Sequence, residues 1–157
     1  MEIFLADSEA TEALGRLLGK HVEDYDVLCL NGDLGAGKTL LSRGLATSLG
    51  VAAEDVTSPT FAIMNVYMGR TMEIHHFDLY RLDRVEELED IGFAEYAGGE
   101  GVTLIEWAEL FPTELPEEYL EIVLRHEGAG RKAVLTPHGK RYEELLEEVQ
   151  KDADFGH

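Results

Sequence analysis

Gly32-Asp33-Leu34-Gly35-Ala36-Gly37-Lys38-Thr39 follows the apolar run Val27-Leu28-Cys29-Leu30 and precedes a stretch carrying Leu40, Leu41, Leu45 and Leu49. The first run reads as a fully buried strand, and the leucine spacing as a helix from about Lys38 to Leu49, ended by Gly50. A G-x-x-x-x-G-K-[ST] pattern between a strand and a helix is a phosphate-binding turn. Its glycines let the backbone wrap around phosphate oxygens, and the helix N-terminus adds partial positive charge. Backbone amides from Leu34 through Gly35, Ala36 and Gly37 are therefore expected against the phosphates. Lys38 is expected to reach the β and γ phosphates of ATP, and the Thr39 hydroxyl to coordinate Mg²⁺.

Working outward, Ile3-Phe4-Leu5 is a short strand, and Asp7 or Ser8 caps a helix that buries Leu14, Leu17 and Leu18. Val51 to Pro59 is a loop of small and polar residues. Phe61–Met68 and Thr71–Phe77 read as strands joined by a Gly69-Arg70 hairpin turn. Short helices follow at Val85–Asp90 and Phe93–Tyr96, and then a buried strand, Val102-Thr103-Leu104-Ile105, that ends at Glu106. Tyr119–Leu124 and Lys132–Leu135 form a late antiparallel pair through Gly128-Ala129-Gly130, before a last helix over Lys140–Lys151. Strands of the parallel, buried type alternate with helices early, while later strands pair locally. The expectation is one domain over residues 1–157: a P-loop NTPase-like three-layer α/β fold with a mixed, largely parallel sheet flanked by helices.

Mg²⁺ on ATP takes one or two protein carboxylates. Glu106 stands at the end of a buried strand, where it would bind metal or position an attacking water; the competing reading is an exposed strand-end carboxylate. Asp78 is the second candidate, since strand alternation in His75-His76-Phe77-Asp78-Leu79 sends His76 and Asp78 to one face and Phe77 and Leu79 to the other. His75 and His76 face opposite ways, which argues against a zinc pair.

The 157 residues carry 13 Lys and Arg against 32 Asp and Glu, a net charge of −19. Such a surface disfavours nucleic acid and anionic membranes and suits a basic protein partner. Cys29, the single cysteine, reads as a small buried hydrophobe. The sequence has neither a membrane-length apolar run nor a basic, apolar leader, so a cytoplasmic protein without membrane contact is expected.

The phosphate turn, with Thr57-Ser58-Pro59-Thr60-Phe61, His76-Phe77-Asp78-Leu79-Tyr80-Arg81 and Leu104-Ile105-Glu106-Trp107-Ala108-Glu109, resembles the TsaE (YjeE) family. The resemblance runs from about Ser8 to Val134. It implies the ATPase subunit of bacterial tRNA threonylcarbamoyladenosine synthesis, acting with TsaD and TsaB and meeting tRNA only through them. It further implies that Thr39 and Glu106 hold Mg²⁺, with Asp78 needed for hydrolysis alongside Lys38. Ser58, Pro59 and Thr60 would sense the γ-phosphate, Thr11 would lie near the base or sugar, and Arg131 would close over the nucleotide. Tyr80 and Arg81 are candidates for the partner side, Arg81 competing with a surface ion pair to Glu86 or Glu87. A small-molecule P-loop kinase and a non-catalytic nucleotide-sensing scaffold share the first motif. The kinase reading lacks an arginine-rich lid, and a regulatory GTPase would need Asn-Lys-x-Asp and Asp-x-x-Gly, both missing from the sequence.

Overall fold

The computed structural model describes residues 1–57 and 63–155. The expected switch residues Ser58, Pro59 and Thr60 lie outside them. In chain order the strands are β1 (Glu2–Leu5), β2 (Val27–Gly32), β3 (Met64–Met68), β4 (Glu73–Asp78), β5 (Val102–Glu106), β6 (Tyr119–Glu127) and β7 (Gly130–His138). The helices are α1 (Ser8–Gly19), α2 (Lys38–Ser48), α3 (Val85–Asp90), α4 (Phe93–Tyr96) and α5 (Lys140–Phe155).

All seven strands form one sheet in the order β1-β7-β6-β2-β5-β4-β3. The four central strands, β6-β2-β5-β4, run parallel, and antiparallel pairing is confined to β3 at one edge and to β7 and β1 at the other. Every residue of β2 is buried, as a central strand covered on both faces requires. Alternation along β2 feeds two cores. Leu28 and Leu30 pack with residues of α1, α2 and α5, while Val27 and Cys29 pack with Phe77, Leu79, Leu88 and Phe93. The result is the expected three-layer mixed α/β fold. Burial raises the Cys29 thiol well above its ordinary range, so it behaves as a hydrophobe.

Asp7 caps α1, its Oδ1 accepting from the Ala10 amide at 2.9 Å. Glycine lets α1 and α2 cross closely. A Cβ on Gly15 would stand 2.1 Å from the Leu41 carbonyl oxygen, and one on Gly44 would stand 2.1 Å from that of Glu12. In an open helix, glycine to alanine gains about 1 kcal/mol of helix propensity. Here the methyl meets backbone, which cannot step aside as a side chain tip can. Gly15→Ala is therefore expected to destabilise by roughly 1–3 kcal/mol, read as a lower urea midpoint; a higher midpoint would refute the close crossing.

The larger departures from the sequence expectation lie in the two hairpins and the last helix. The β3–β4 turn spans residues 69–72 rather than two residues, with the Gly69 amide donating to Met72 O at 3.0 Å. The extra length lets the Arg70 amide and guanidinium donate to Leu49 O and Ser48 O, closing the C-terminus of α2. The β6–β7 hairpin is longer than its apolar residues suggest, pairing through Arg125↔Lys132 and His126↔Arg131 to Glu127↔Gly130. Polar side chains on that exposed end hid the strands. Finally, α5 continues past Lys151 to Phe155.

Candidate functional site

β2 ends at Gly32, whose φ of 117° and close approach to β6 exclude a side chain: a Cβ would lie 2.0 Å from Leu124 O. The turn is then tied to the end of β6. The Asp33 carboxylate accepts from the His126 amide at 2.9 Å and from Arg125 Nη1 at 3.2 Å, and His126 Nε2 lies 3.1 Å from Leu34 O. The His126 amide, with Arg125 nearby, holds the Asp33 carboxyl below the usual carboxylate range. Leu34 projects outward at the turn's tip, whereas Ala36 is buried in the core. Gly37, at φ 105°, leads into α2, whose N-terminus no side chain caps. Its first amides thus face the cavity beside the turn.

Lys38 is buried, and its Nζ donates to Asp33 O at 2.7 Å and Gly32 O at 3.2 Å. The same ammonium sits 4.0 Å from the centroid of the Trp107 ring. Burial lowers its pKa, against the pull of Glu106, Glu109, Asp33 and Asp78. The Thr39 hydroxyl lies 3.4 and 3.5 Å from the two Glu106 oxygens.

Parallel register supplies the acidic pair. Asp78 of β4 and Leu30 of β2 both lie beside Glu106 of β5, at the carboxyl ends where ligands of open α/β sheets bind. Glu106 is 3% exposed, so the reading as an exposed strand-end carboxylate is wrong. Asp78 is half-buried and accepts from the Tyr80 amide at 3.0 Å. Lys38, Thr39, Asp78, Glu106, Tyr80 and Trp107 all line one cavity of about 280 Å³.

A second cavity, of about 360 Å³, opens on the other side of the turn and shares Gly35, Gly37 and Leu40 with the first. It brings together Thr11 from α1 and Arg131 from β7. Thr11 is buried, and Arg131 Nη2 lies 3.4 Å from Gly35 O. Tyr80 is exposed, its ring 4.8 Å from that of Trp107. Arg81 is exposed on the following turn; Glu87, one of the ion-pair partners weighed for it, pairs with Arg84 at 3.9 Å.

Sequence reasoning assigned no role to four residues that build this site. Trp107 takes a left-handed backbone, φ 62°, unusual for a bulky residue and held by its amide donating to Leu30 O. Glu109 Oε1 accepts from the Gly32 amide at 3.1 Å, while the Glu109 amide donates to Asn31 Oδ1. His76, fully buried, contacts Glu106 through Nε2. The available signal was position: Trp107 and Glu109 directly follow the acidic strand end.

Among the described residues no group of three or more His, Cys, Asp and Glu is placed to hold a metal on its own. Hydroxyl and carboxylate oxygens from Thr39 and Glu106 instead suit a hard cation that takes its remaining ligands from phosphate and water. No described helix is long and apolar enough to cross a membrane.

This fold and site define a P-loop NTPase-like α/β protein. Residues 5–134 match the family profile described as threonylcarbamoyl adenosine biosynthesis protein TsaE. The chain is 42% identical to the tRNA threonylcarbamoyladenosine biosynthesis protein TsaE of Bacillus subtilis over 144 residues, covering 91% of this chain and 89% of that one. It is 41% identical to the Treponema pallidum protein of the same name over 127 residues, 81% of this chain and 93% of the other. The crystal structure of Bacillus subtilis YdiB superposes with a TM-score of 0.83 at 36% identity, across 98% of this chain and 95% of that one. The chain belongs to the TsaE family.

Proposed function

We propose that this protein binds and hydrolyses Mg-ATP in the cytoplasm to support TsaD and TsaB as they threonylcarbamoylate adenosine 37 of tRNAs that read codons beginning with A. The observation that carries the reading is the shared cavity, in which Lys38 and Thr39 from the phosphate turn meet Asp78 and Glu106 from two parallel strand ends. Thr39 and Glu106 would hold the magnesium, Lys38 and the amides of Leu34 to Thr39 the phosphates, and Thr11 and Arg131 the nucleoside side. The bound nucleotide supplies a phosphoanhydride activated by its metal. The chain's own part is to position that bond, screen its charge and, through Asp78, orient a water for attack.

The acidic residues that surround Lys38 disfavour free phosphate, and among the described residues no arginine other than Arg131 lines the two cavities. Slow turnover alone is the expected consequence, with partners supplying order or positive charge. Phosphate release should rise by about an order of magnitude or more when the TsaD–TsaB pair is added. Against a basic partner face the stimulation should weaken as salt rises, because screening shortens the reach of the −19 surface. Equal rates with and without the pair would sink the proposal. Full tRNA modification with a non-hydrolysable ATP analogue would favour the scaffold reading instead.

A further inference from the structure

Glu106 has a buried connection that the proposed reaction does not use. His76 Nε2 donates to Glu106 Oε2, and on the other side of the ring Nδ1 lies 3.0 Å from the Tyr67 hydroxyl. Tyr67 in turn meets Thr57, whose amide donates to the hydroxyl at 3.4 Å and whose carbonyl lies 2.9 Å away. A tyrosine hydroxyl has one proton, and here two acceptors compete for it. The carboxylate settles the competition: it only accepts, so His76 carries its proton on Nε2, and Nδ1 is left to accept the tyrosine proton, while Asn65 Nδ2 supplies Thr57 O at 3.2 Å and Thr57 Oγ1 at 3.3 Å. Every donor in the series then points the same way, from the Thr57 amide to Tyr67, to His76 Nδ1, and from Nε2–H to the Glu106 carboxylate.

The register of the sheet makes this series. Asn65↔His76 and Tyr67↔Ile74 are cross-strand pairs of β3 and β4, and His76 lies beside Leu104, two residues before Glu106 on the same face of β5. His76 is fully buried and Tyr67 is 6% exposed, so water does not compete in the middle of the path, while its Thr57 end is exposed. Burial also raises the Tyr67 phenol above its ordinary range, which keeps it a donor. Buried hydrogen bonds in series polarise one another and specify a single arrangement.

We propose that Tyr67 and His76 are positioning residues that couple the backbone at Thr57 to the orientation of the Glu106 carboxylate, and so to the demand of the site for Mg²⁺. The metal clause rests on the Mg-ATP reading; the coupling itself does not. Thr57 immediately precedes Ser58, so the coupled backbone position adjoins the segment expected to sense the nucleotide.

Two measurements on the full chain test this. Hydrogen exchange at the Thr57 amide, without nucleotide, should speed up about two- to tenfold in Tyr67→Phe, the effect of losing one hydrogen bond. Glu106→Ala should speed it as well, yet add nothing in the Tyr67→Phe background, because the path is already cut. Unchanged exchange in Tyr67→Phe, or additive effects in the double variant, would overturn the coupling. Mg²⁺ demand is read from the fluorescence of Trp107, the single tryptophan, during ATP titration. His76→Leu should raise the half-saturating Mg²⁺ by about 10- to 100-fold, as loss of a group that orients a metal ligand does. In His76→Gln the amide still donates to Glu106 but cannot bridge to Tyr67. That variant should keep most of the metal response while exchanging at Thr57 as fast as Tyr67→Phe, whereas a purely structural role would move both readouts together and refute the assignment. If the unaltered protein shows no Mg-dependent signal, the nucleotide reading fails, and the exchange measurement still decides the relay.

Discussion

Lys38→Ala is expected to cut nucleotide turnover by orders of magnitude and to leave the protein folded. The ammonium sits among Glu106, Glu109, Asp33 and Asp78, all of which act on it. Without it, phosphate oxygens would enter a cavity whose nearest side-chain charges are negative. At an effective dielectric near 20, a unit charge at 4 Å is worth about 4 kcal/mol. Loss of one preorganised positive donor should therefore cost about 10²- to 10³-fold in affinity or turnover. Stability should change little. Nζ bonds two carbonyl oxygens of its own turn, and removing a charge from a buried site offsets the bonds that are lost. Lys38→Arg should fail as well, because a broad planar guanidinium does not replace the compact point charge that bonds Asp33 O at 2.7 Å and Gly32 O at 3.2 Å inside the turn. Phosphate release and Trp107 fluorescence on ATP addition are the measurements. Near-normal values for Lys38→Ala would remove the phosphate turn from the site.

Glu106→Ala and Asp78→Ala should divide binding from hydrolysis. Metal stabilises charge that develops as phosphate transfers, so removing a carboxylate falls more heavily on the rate than on ground-state affinity. Hydrolysis in the active complex should drop about 100-fold or more, the equivalent of several kcal/mol, while ATP binds within an order of magnitude of the original. Glu106→Gln refines the result. It keeps an oxygen to accept from His76 but removes the negative charge, so a defect as large as that of Glu106→Ala assigns the effect to charge rather than to packing. Were both alanine variants to hydrolyse ATP at the original rate, other carboxylates would have to be sought.

The phosphate turn and its flanks were readable because each carries a local signal. Val27–Leu30 is continuously apolar, Gly32 and Gly37 adopt backbones that favour glycine, and Gly50 ends the helix after a leucine pattern of the right period. The nearness of Asp78 to Glu106 has a different origin. It follows from β4 lying beside β5 in parallel register, and strand order leaves no trace in residue spacing. Thr11 and Arg131 meet for the same reason, and family resemblance rather than residue chemistry pointed to them. Trp107 and His76 were visible as residue types, but their roles depend on a left-handed backbone and a cross-strand partner that only the fold creates. The β6–β7 extension was lost because Arg125, His126 and Glu127 are polar, yet the first two anchor Asp33.

One pairing bears on how the molecule comes into being. β1 takes its backbone partners from β7, with Leu5 opposite Arg131. During synthesis the segment carrying β1 must wait for well over a hundred further residues before its strand has anywhere to dock, a closure of high contact order and slow by nature. Arg131 itself takes its face from the local β6–β7 hairpin, opposite His126, and β1 then closes over its other side at Leu5. A nascent chain thus acquires its glycine-rich turn early and the far wall of the second cavity, at Arg131, late.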